Sequence, residues 1–448
     1  MVRLGPASLH GSLEQPESGA ISFLNEVMAR HPHAISFAPG APHPDLLEGI
    51  APGRYIDRFL EHLTREAGCT AREAQLQLLE YGPSRGLING LIAEALRRDF
   101  GIETHQDAVV VTVGAQEAMF LTLRALYPVR GDLLAIAEPC FVGITGAARL
   151  LDIEPLGIPE TSQGIDLDAL SAACARTRGA GRRVRACYIA PDFANPGGSQ
   201  MSMSDRERLL EIAEQEDFLI LEDNAYAFTA AAGAELPPLK TLDIRARVVH
   251  IGTFAKICFP GARVGYVVAD QRVGRRGEAQ GTLADALAAI KSMVTVNTSP
   301  LSQAVIGGML LEHDCSLVEL SRRKAALYQR NLSLLSDALD RHLTRDIPSG
   351  ISWNRPQGGF FVRMSLPVPA DSALLNISAA RYGVLWTPMA SFHLSGAGAC
   401  ELRLSCSYLT PQEIETGVGR LADLLREEVP ARMRAQHRKH GVGDPLER

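Results

Sequence analysis

Lys256 stands in the run Gly252-Thr253-Phe254-Ala255-Lys256-Ile257-Cys258-Phe259-Pro260-Gly261-Ala262-Arg263, behind the apolar stretch Val248-Val249-His250-Ile251. A strand followed by a turn would present its amine at the mouth of a sheet. A partly desolvated amine can lose its proton, attack an aldehyde and form a Schiff base. Arg263, seven residues on, could clamp a phosphate. Together they suggest an aldehyde that carries a phosphate, such as pyridoxal 5′-phosphate, and that group makes further demands. It needs a carboxylate at the pyridine nitrogen, donors to the ring oxygen, a face to stack on and a phosphate cradle. Asp223, ending the run Leu219-Ile220-Leu221-Glu222-Asp223, supplies the carboxylate. Tyr226 and Asn195 supply donors. Phe141 supplies a stacking face. Gly114, Ala115 and Gln116 open a helix after a strand, where exposed N–H groups favour an anion, and Thr253 adds a hydroxyl. Taken singly, each has an ordinary explanation: a surface lysine, a helix cap, an Asn-Pro-Gly-Gly turn, a core phenylalanine.

The elements that would carry these residues follow from periodicity. Short apolar strands at Val109–Val113, Leu133–Ala137, Ala186–Ala190, Phe218–Leu221, Val248–Gly252 and Val264–Ala269 alternate with helical spacing over Gln116–Tyr127 and Val142–Leu151. Ser202 caps a further helix that runs to about Glu216. This alternation predicts an α/β domain with a mostly parallel sheet, and ligands of such sheets lie beyond the carboxyl ends of the strands. Gly114, Asn195, Asp223 and Lys256 all fall at such ends. The run from Ala284 to Arg345 is helix-rich; strands follow near Gly358–Arg363 and Glu401–Cys406, then a closing helix over Pro411–Glu428.

Composition excludes other classes. The chain has 448 residues, 46% of them hydrophobic, and a net charge of −6, so no whole-surface affinity for nucleic acid is expected. No apolar run approaches the roughly 20 residues that span a bilayer. The start of the chain does not read as a signal peptide, and eight scattered cysteines without a C-x-x-C pair suggest reduced thiols in the cytoplasm. His31, His33 and His43 lack metal-ligand spacing, so no metal is expected.

Taken together, the motifs carry a resemblance. Ile35-Ser36-Phe37-Ala38-Pro39-Gly40, Tyr81-Gly82-Pro83, Thr112-Val113-Gly114-Ala115-Gln116, Glu138-Pro139-Cys140-Phe141, Asn195-Pro196, Glu222-Asp223-Asn224-Ala225-Tyr226, Thr253-Phe254-Ala255-Lys256, Pro260-Gly261-Ala262-Arg263 and Arg403-Leu404-Ser405 occur in that order. The chain thereby resembles fold-type-I pyridoxal-phosphate enzymes of the class I/II aminotransferase superfamily, in the 2-aminoadipate/kynurenine/aromatic branch. The resemblance implies a large domain over residues 66–325 with a mostly parallel seven-stranded sheet. It also implies a smaller α+β domain over 326–430, joined by an N-terminal segment, 1–65, that closes over substrate; 431–448 reads as a loose tail. By the same resemblance, Lys256 bonds the cofactor and moves the Cα proton, Asp223 pairs with the pyridine nitrogen, and Asn195 and Tyr226 hold the ring oxygen. Phe141 stacks, while Gly114, Ala115, Gln116, Thr253 and Arg263 line the phosphate. Tyr81 reaches the cofactor of a neighbouring subunit, which implies a homodimer. Arg403 grips the substrate α-carboxylate in a bidentate fork, with Gly40 and Asn195 beside it. The motifs begin at Ile35 with no basic segment ahead of them, so an enzyme is expected rather than a DNA-binding regulator.

Several positions depart from the family's usual residues. Ala255 replaces a serine, Cys140 a serine or threonine, Gly197 a threonine, Asn224 an aspartate and Phe141 a tyrosine. The expected reaction is transfer of an L-amino acid's amino group to a 2-oxo acid through a Cα carbanion. The alternative spends the same carbanion on β- or γ-elimination, replacement, ring closure or carbon–carbon bond formation. The sulfonium of S-adenosylmethionine is one conceivable leaving group for it.

Overall fold

Four consecutive residues, Val109–Thr112, are all fully buried, and so are all six of Val248–Thr253. A strand apolar on both faces belongs inside a sheet covered on both sides. The computed structural model, which describes residues 5, 8–14, 26–128, 130–274, 281–344 and 347–439, forms such a sheet. The chain divides into two units: Ala41–Asn195 with Ser199–Ala326, and Met1–Gly40 with Pro196–Gly198 and Leu327–Arg448.

The larger unit holds an eight-stranded sheet. Its spatial order is Val109–Thr112, Gly265–Val268, Val248–Thr253, Leu219–Asp223, Val184–Ile189, Leu133–Glu138, Glu154–Thr161 and Gly164–Ile165. The pairings from Val248–Thr253 to Glu154–Thr161 are parallel; Gly265–Val268 and Gly164–Ile165 run antiparallel to their neighbours. The expected seven strands are therefore eight. The additional one is the two-residue return Gly164–Ile165, too short to leave a periodic signal. Glu154–Thr161 also escapes sequence reading, because Pro155 and Pro159 read as strand breakers. It pairs with Leu133–Glu138 over Glu154–Pro159 and with the return only at Glu160 and Thr161. A strand open on its outer side tolerates residues that lack an N–H.

Helices pack on both sheet faces. Leu167–Gly179 and Met203–Gln215 bury Leu170, Leu209 and Ile212 against Ala135, Cys187 and Ile220. Phe59, Ile92, Ala304 and Met309 cover Val109, Val111 and Val268 on the other face. Ser202 accepts from the Asp205 amide at 3.1 Å, the expected cap. The stretch Leu283–Leu343 is three helices, as expected from its composition.

The smaller unit has a four-stranded antiparallel sheet, ordered Ser352–Trp353, Phe361–Ser365, Glu401–Ser405, Thr387–Pro388. Ile35–Ser36 pairs separately with Val384–Leu385. The final helix covers Pro411–Lys439. The segment from Ala431, expected to be loose, is thus helical to Lys439; the residues beyond lie outside those described. The helix passes through Pro430 at the loss of one amide donor.

Candidate active site

Asp223 is the last residue of its strand and is buried. On the neighbouring strand, the Tyr188 hydroxyl donates to Asp223 Oδ2 at 2.6 Å. The other oxygen, Oδ1, is buried with no hydrogen-bond partner among the described residues. Burial pushes the carboxyl up to about 6; Tyr188's hydrogen bond and the charges of His250 and Lys256 oppose that rise, while Glu222 adds to it. A carboxylate desolvated this far, with one oxygen taken and one bare, is set to receive a charged donor.

Glu222 and His250 stand opposite each other in register on adjacent strands. Their side chains meet at 2.8 Å with no solvent exposure. Glu222 also accepts from the Leu239 and Lys240 amides at 2.6 and 3.1 Å. Burial alone would raise the Glu222 carboxyl, but the bonds from His250 and the two amides bring it below the usual carboxylate range.

The strand Val109–Thr112 leads into the helix Gly114–Leu126. Gly114 has φ +74°, and a Cβ there would stand 2.7 Å from Arg263 Nη2. Gly265 is equally constrained: its Cβ would meet Ala115 N and Gly114 C at 2.7 Å. Two glycines thus bring an arginine and the N-terminus of a 13-residue helix together, the setting that binds anions. The turn is tied from beneath by Glu117, which accepts from the Val113 amide at 2.6 Å and from buried Lys291 at 2.7 Å. Thr253 Oγ1 accepts from the Ala255 amide at 3.2 Å.

Gln116 Nε2 donates to Gly143 O at 2.7 Å. A Cβ at Gly143 would strike both Gln116 Oε1 and the Phe141 ring at 2.3 Å, which places Phe141 beside the first turn of this helix. Lys256 is half-buried in the short helix Phe254–Ile257, and its charge acts on Asp223. Asn195 is half-buried and Tyr226 buried. Tyr81 is 87% exposed.

The smaller unit holds the other two expected residues. Arg403 is buried, and its Nη2 donates to Ala38 O at 3.0 Å and Thr387 Oγ1 at 3.3 Å. Its guanidinium lies over the Phe361 ring at 4.3 Å and the Phe392 ring at 5.3 Å. Stacking and bonding fix the fork of an arginine better than either alone. A Cβ at Gly40 would come within 3.0 Å of Phe361 Cζ.

Tyr188, Gly265, Gly143, Phe361 and Phe392 escape sequence reading. Tyr188 sits mid-strand and reads as core. Gly265 was findable, since a glycine inside a β-branched run marks close backbone approach. Among the described residues no cluster of His, Cys, Asp and Glu could hold a metal, no helix is long and apolar enough to cross a membrane, and all eight cysteines are free.

The model of the family described as aminotransferase class I and II matches residues 58–421. An (S)-3,5-dihydroxyphenylglycine transaminase from Amycolatopsis orientalis is 45% identical over 423 residues, covering 94% of this chain and 95% of that protein. Among solved structures, a multiple substrate aminotransferase from Thermococcus profundus superposes with a TM-score of 0.79 at 26% identity, covering 95% of this chain and 99% of that one. An α-aminoadipate aminotransferase from Thermus thermophilus, complexed with N-(5′-phosphopyridoxyl)-L-leucine, gives 0.74 at 27% identity, over 93% and 98%.

Proposed function

The chain belongs to the class I and II aminotransferases and transfers amino groups; from that premise we propose that it uses pyridoxal 5′-phosphate bonded to Lys256 and acts on an aromatic L-amino acid, an arylglycine in particular. The substrate class is carried by one observation, the 45% identity over nearly full length to a transaminase of an arylglycine. Elimination or ring closure is set aside, because the named relatives transfer amino groups.

Two features of this chain fit the cofactor. Buried Asp223 Oδ1 lacks a donor, which a pyridinium N–H would supply. The close approach of Arg263 to Gly114 makes an anion cradle at a helix N-terminus. When bound, the cofactor supplies an aldehyde that takes up the amino group and a protonated ring that draws electrons from Cα.

The remaining work falls to the protein. Lys256 would hold the cofactor through its amine and, with that amine free, would move the proton released at the substrate Cα. Asp223 keeps the ring nitrogen protonated. Tyr226 and Asn195 donate to the ring oxygen, and Phe141 stacks on the ring. Gly114, Ala115, Gln116, Thr253 and Arg263 take the phosphate. Arg403 forks the substrate carboxylate, and Gly40 and Asn195 line the substrate.

The substrate class is tested by mixing the loaded protein with single amino acids and no oxo acid. (S)-Phenylglycines are expected to yield their 2-oxo acids faster than tyrosine or 2-aminoadipate does. If 2-aminoadipate reacts as fast as the phenylglycines, the arylglycine assignment is wrong while amino-group transfer stands.

The active unit in this reading is a homodimer in which Tyr81 reaches the partner's phosphate. Support comes from large apolar side chains exposed on the larger unit: Leu79, Tyr81 and Met293 are 75%, 87% and 84% exposed. A Cβ at Gly82 would lie 3.7 Å from Pro300 Cγ, so the Tyr81 loop abuts the segment that follows Met293. Apolar exposure of this kind marks an interface. Light scattering should return twice the 48.3 kDa chain mass; a monomer at micromolar concentration would remove this part of the reading. A cytoplasmic setting fits eight cysteines with no bridge between them.

A further inference from the structure

Asp223 has two oxygens in different situations. Oδ2 accepts from Tyr188 at 2.6 Å, and Oδ1 is buried with no hydrogen-bond partner among the described residues. Tyr188 is itself almost fully buried, on the strand Val184–Ile189, in register with Leu221 of the Asp223 strand. Its ring can swing little without disturbing the sheet, so the direction of the O–H is set by the fold. A carboxylate free to rotate about its Cβ–Cγ bond could offer either oxygen. This one cannot, because turning it would break a short bond between two buried groups.

We propose that Tyr188 is a positioning residue for the cofactor: by occupying Oδ2 it fixes the Asp223 carboxylate and leaves Oδ1 as the oxygen that receives the pyridinium N–H. This rests on the reading that Asp223 faces the pyridine nitrogen. It adds a residue outside the motif set, acting from the adjacent strand.

Tyr188 also has an electrostatic consequence. Five other groups act on this pair. His250 and Lys256 lower the Asp223 carboxyl and Glu222 raises it, while Cys140 and Tyr226 bear on Tyr188. Burial and the Asp223 charge push the Tyr188 hydroxyl well above its ordinary value, so it remains a donor at any working pH. Its bond holds the Asp223 carboxyl down against burial, which still lifts it to about 6. Without that bond the carboxyl rises further. A carboxyl that takes up a proton sooner as pH falls meets the protonated ring nitrogen with a proton on both sides, so the loss is larger at low pH than at high.

The test is the affinity of the full-length, cofactor-stripped protein for pyridoxal phosphate at pH 6 and pH 8. For Tyr188→Phe, a rise of about one unit in the carboxyl enlarges the ratio of Kd at pH 6 to that at pH 8 by about fivefold over wild type. Titrations of the phosphate and of Lys256 are common to both proteins and cancel. A merely structural role would weaken binding equally at both pH values. Should Tyr188→Phe not fold, Tyr188→Met removes the donor with different packing and carries the same expectation. Tyr188→Gln keeps a donor and should return the ratio toward wild type. An unchanged ratio in a folded Phe or Met variant overturns the proposal. Asp223→Asn separates the two levels: if it binds the cofactor as tightly as wild type at both pH values, the reading of Asp223 itself is wrong, whatever Tyr188 does.

Discussion

Lys256→Ala is expected to lower turnover by on the order of 10⁴-fold and to abolish the visible absorbance of lysine-bound cofactor. Proton transfer by a positioned side chain contributes up to about 10⁴-fold, and this lysine also supplies the covalent attachment. The loss should appear in kcat. Pyridoxal phosphate should still bind, because Arg263 and the N-terminus of the helix Gly114–Leu126 do not depend on the amine. Three other lysines are buried. Lys291 is buried on Glu117 at 2.7 Å, Lys240 donates to Asp270 at 2.7 Å and to Val248 O, and Lys324 is buried near Cys258. Activity within tenfold of wild type, measured with a phenylglycine donor and a 2-oxo acid acceptor, would be incompatible with Lys256 as the proton carrier.

Arg403→Lys is expected to cut kcat/KM about 10²-fold for the amino acid and for the 2-oxo acid alike, chiefly through KM. Both substrates carry the same α-carboxylate, so both lose the same fork. A hydrogen bond to a charged group contributes about 1.5–3 kcal/mol, and lysine keeps the charge while losing the bidentate geometry. The stack between Phe361 and Phe392, at 4.3 and 5.3 Å, is also lost. Cofactor absorbance should not change, since Arg403 has no role there. Unchanged KM values for both substrates would show that the carboxylate is held elsewhere.

Much of the site was legible because its chemistry needs particular residue types at strand ends, and strand ends are visible as the place where β-branched runs stop. Lys256, Asp223, Gly114 and Asn195 are candidates by that logic, and Arg263 by its spacing from Lys256. What remained hidden acts across strands rather than along the chain. Tyr188 lies 35 residues from Asp223 and touches it only because two parallel strands are in register. His250 and Glu222, 28 residues apart, meet for the same reason. In sequence, both Tyr188 and His250 are single polar interruptions of an apolar run. Phe361 and Phe392 read as core until Arg403 is placed against them.

The misread elements have physical causes of the same kind. Pro155 and Pro159 disguised a strand whose outer side is mostly open, where missing amides cost little. The closing helix, expected over Pro411–Glu428, runs through Pro430 to Lys439. Gly164–Ile165 is defined by its pairing with Glu160 and Thr161, not by its own composition. Local signals name the candidates, but pairing decides which of them act.

The central claim is that Lys256 holds the cofactor, and it can be tested without any substrate. The loaded protein is reduced with borohydride, digested, and its peptides are read by mass spectrometry. The expected result is a single phosphopyridoxyl addition on the peptide carrying Lys256. An addition on Lys240, Lys291, Lys324 or Lys439 instead, or none at all from a protein that binds the cofactor, would contradict it.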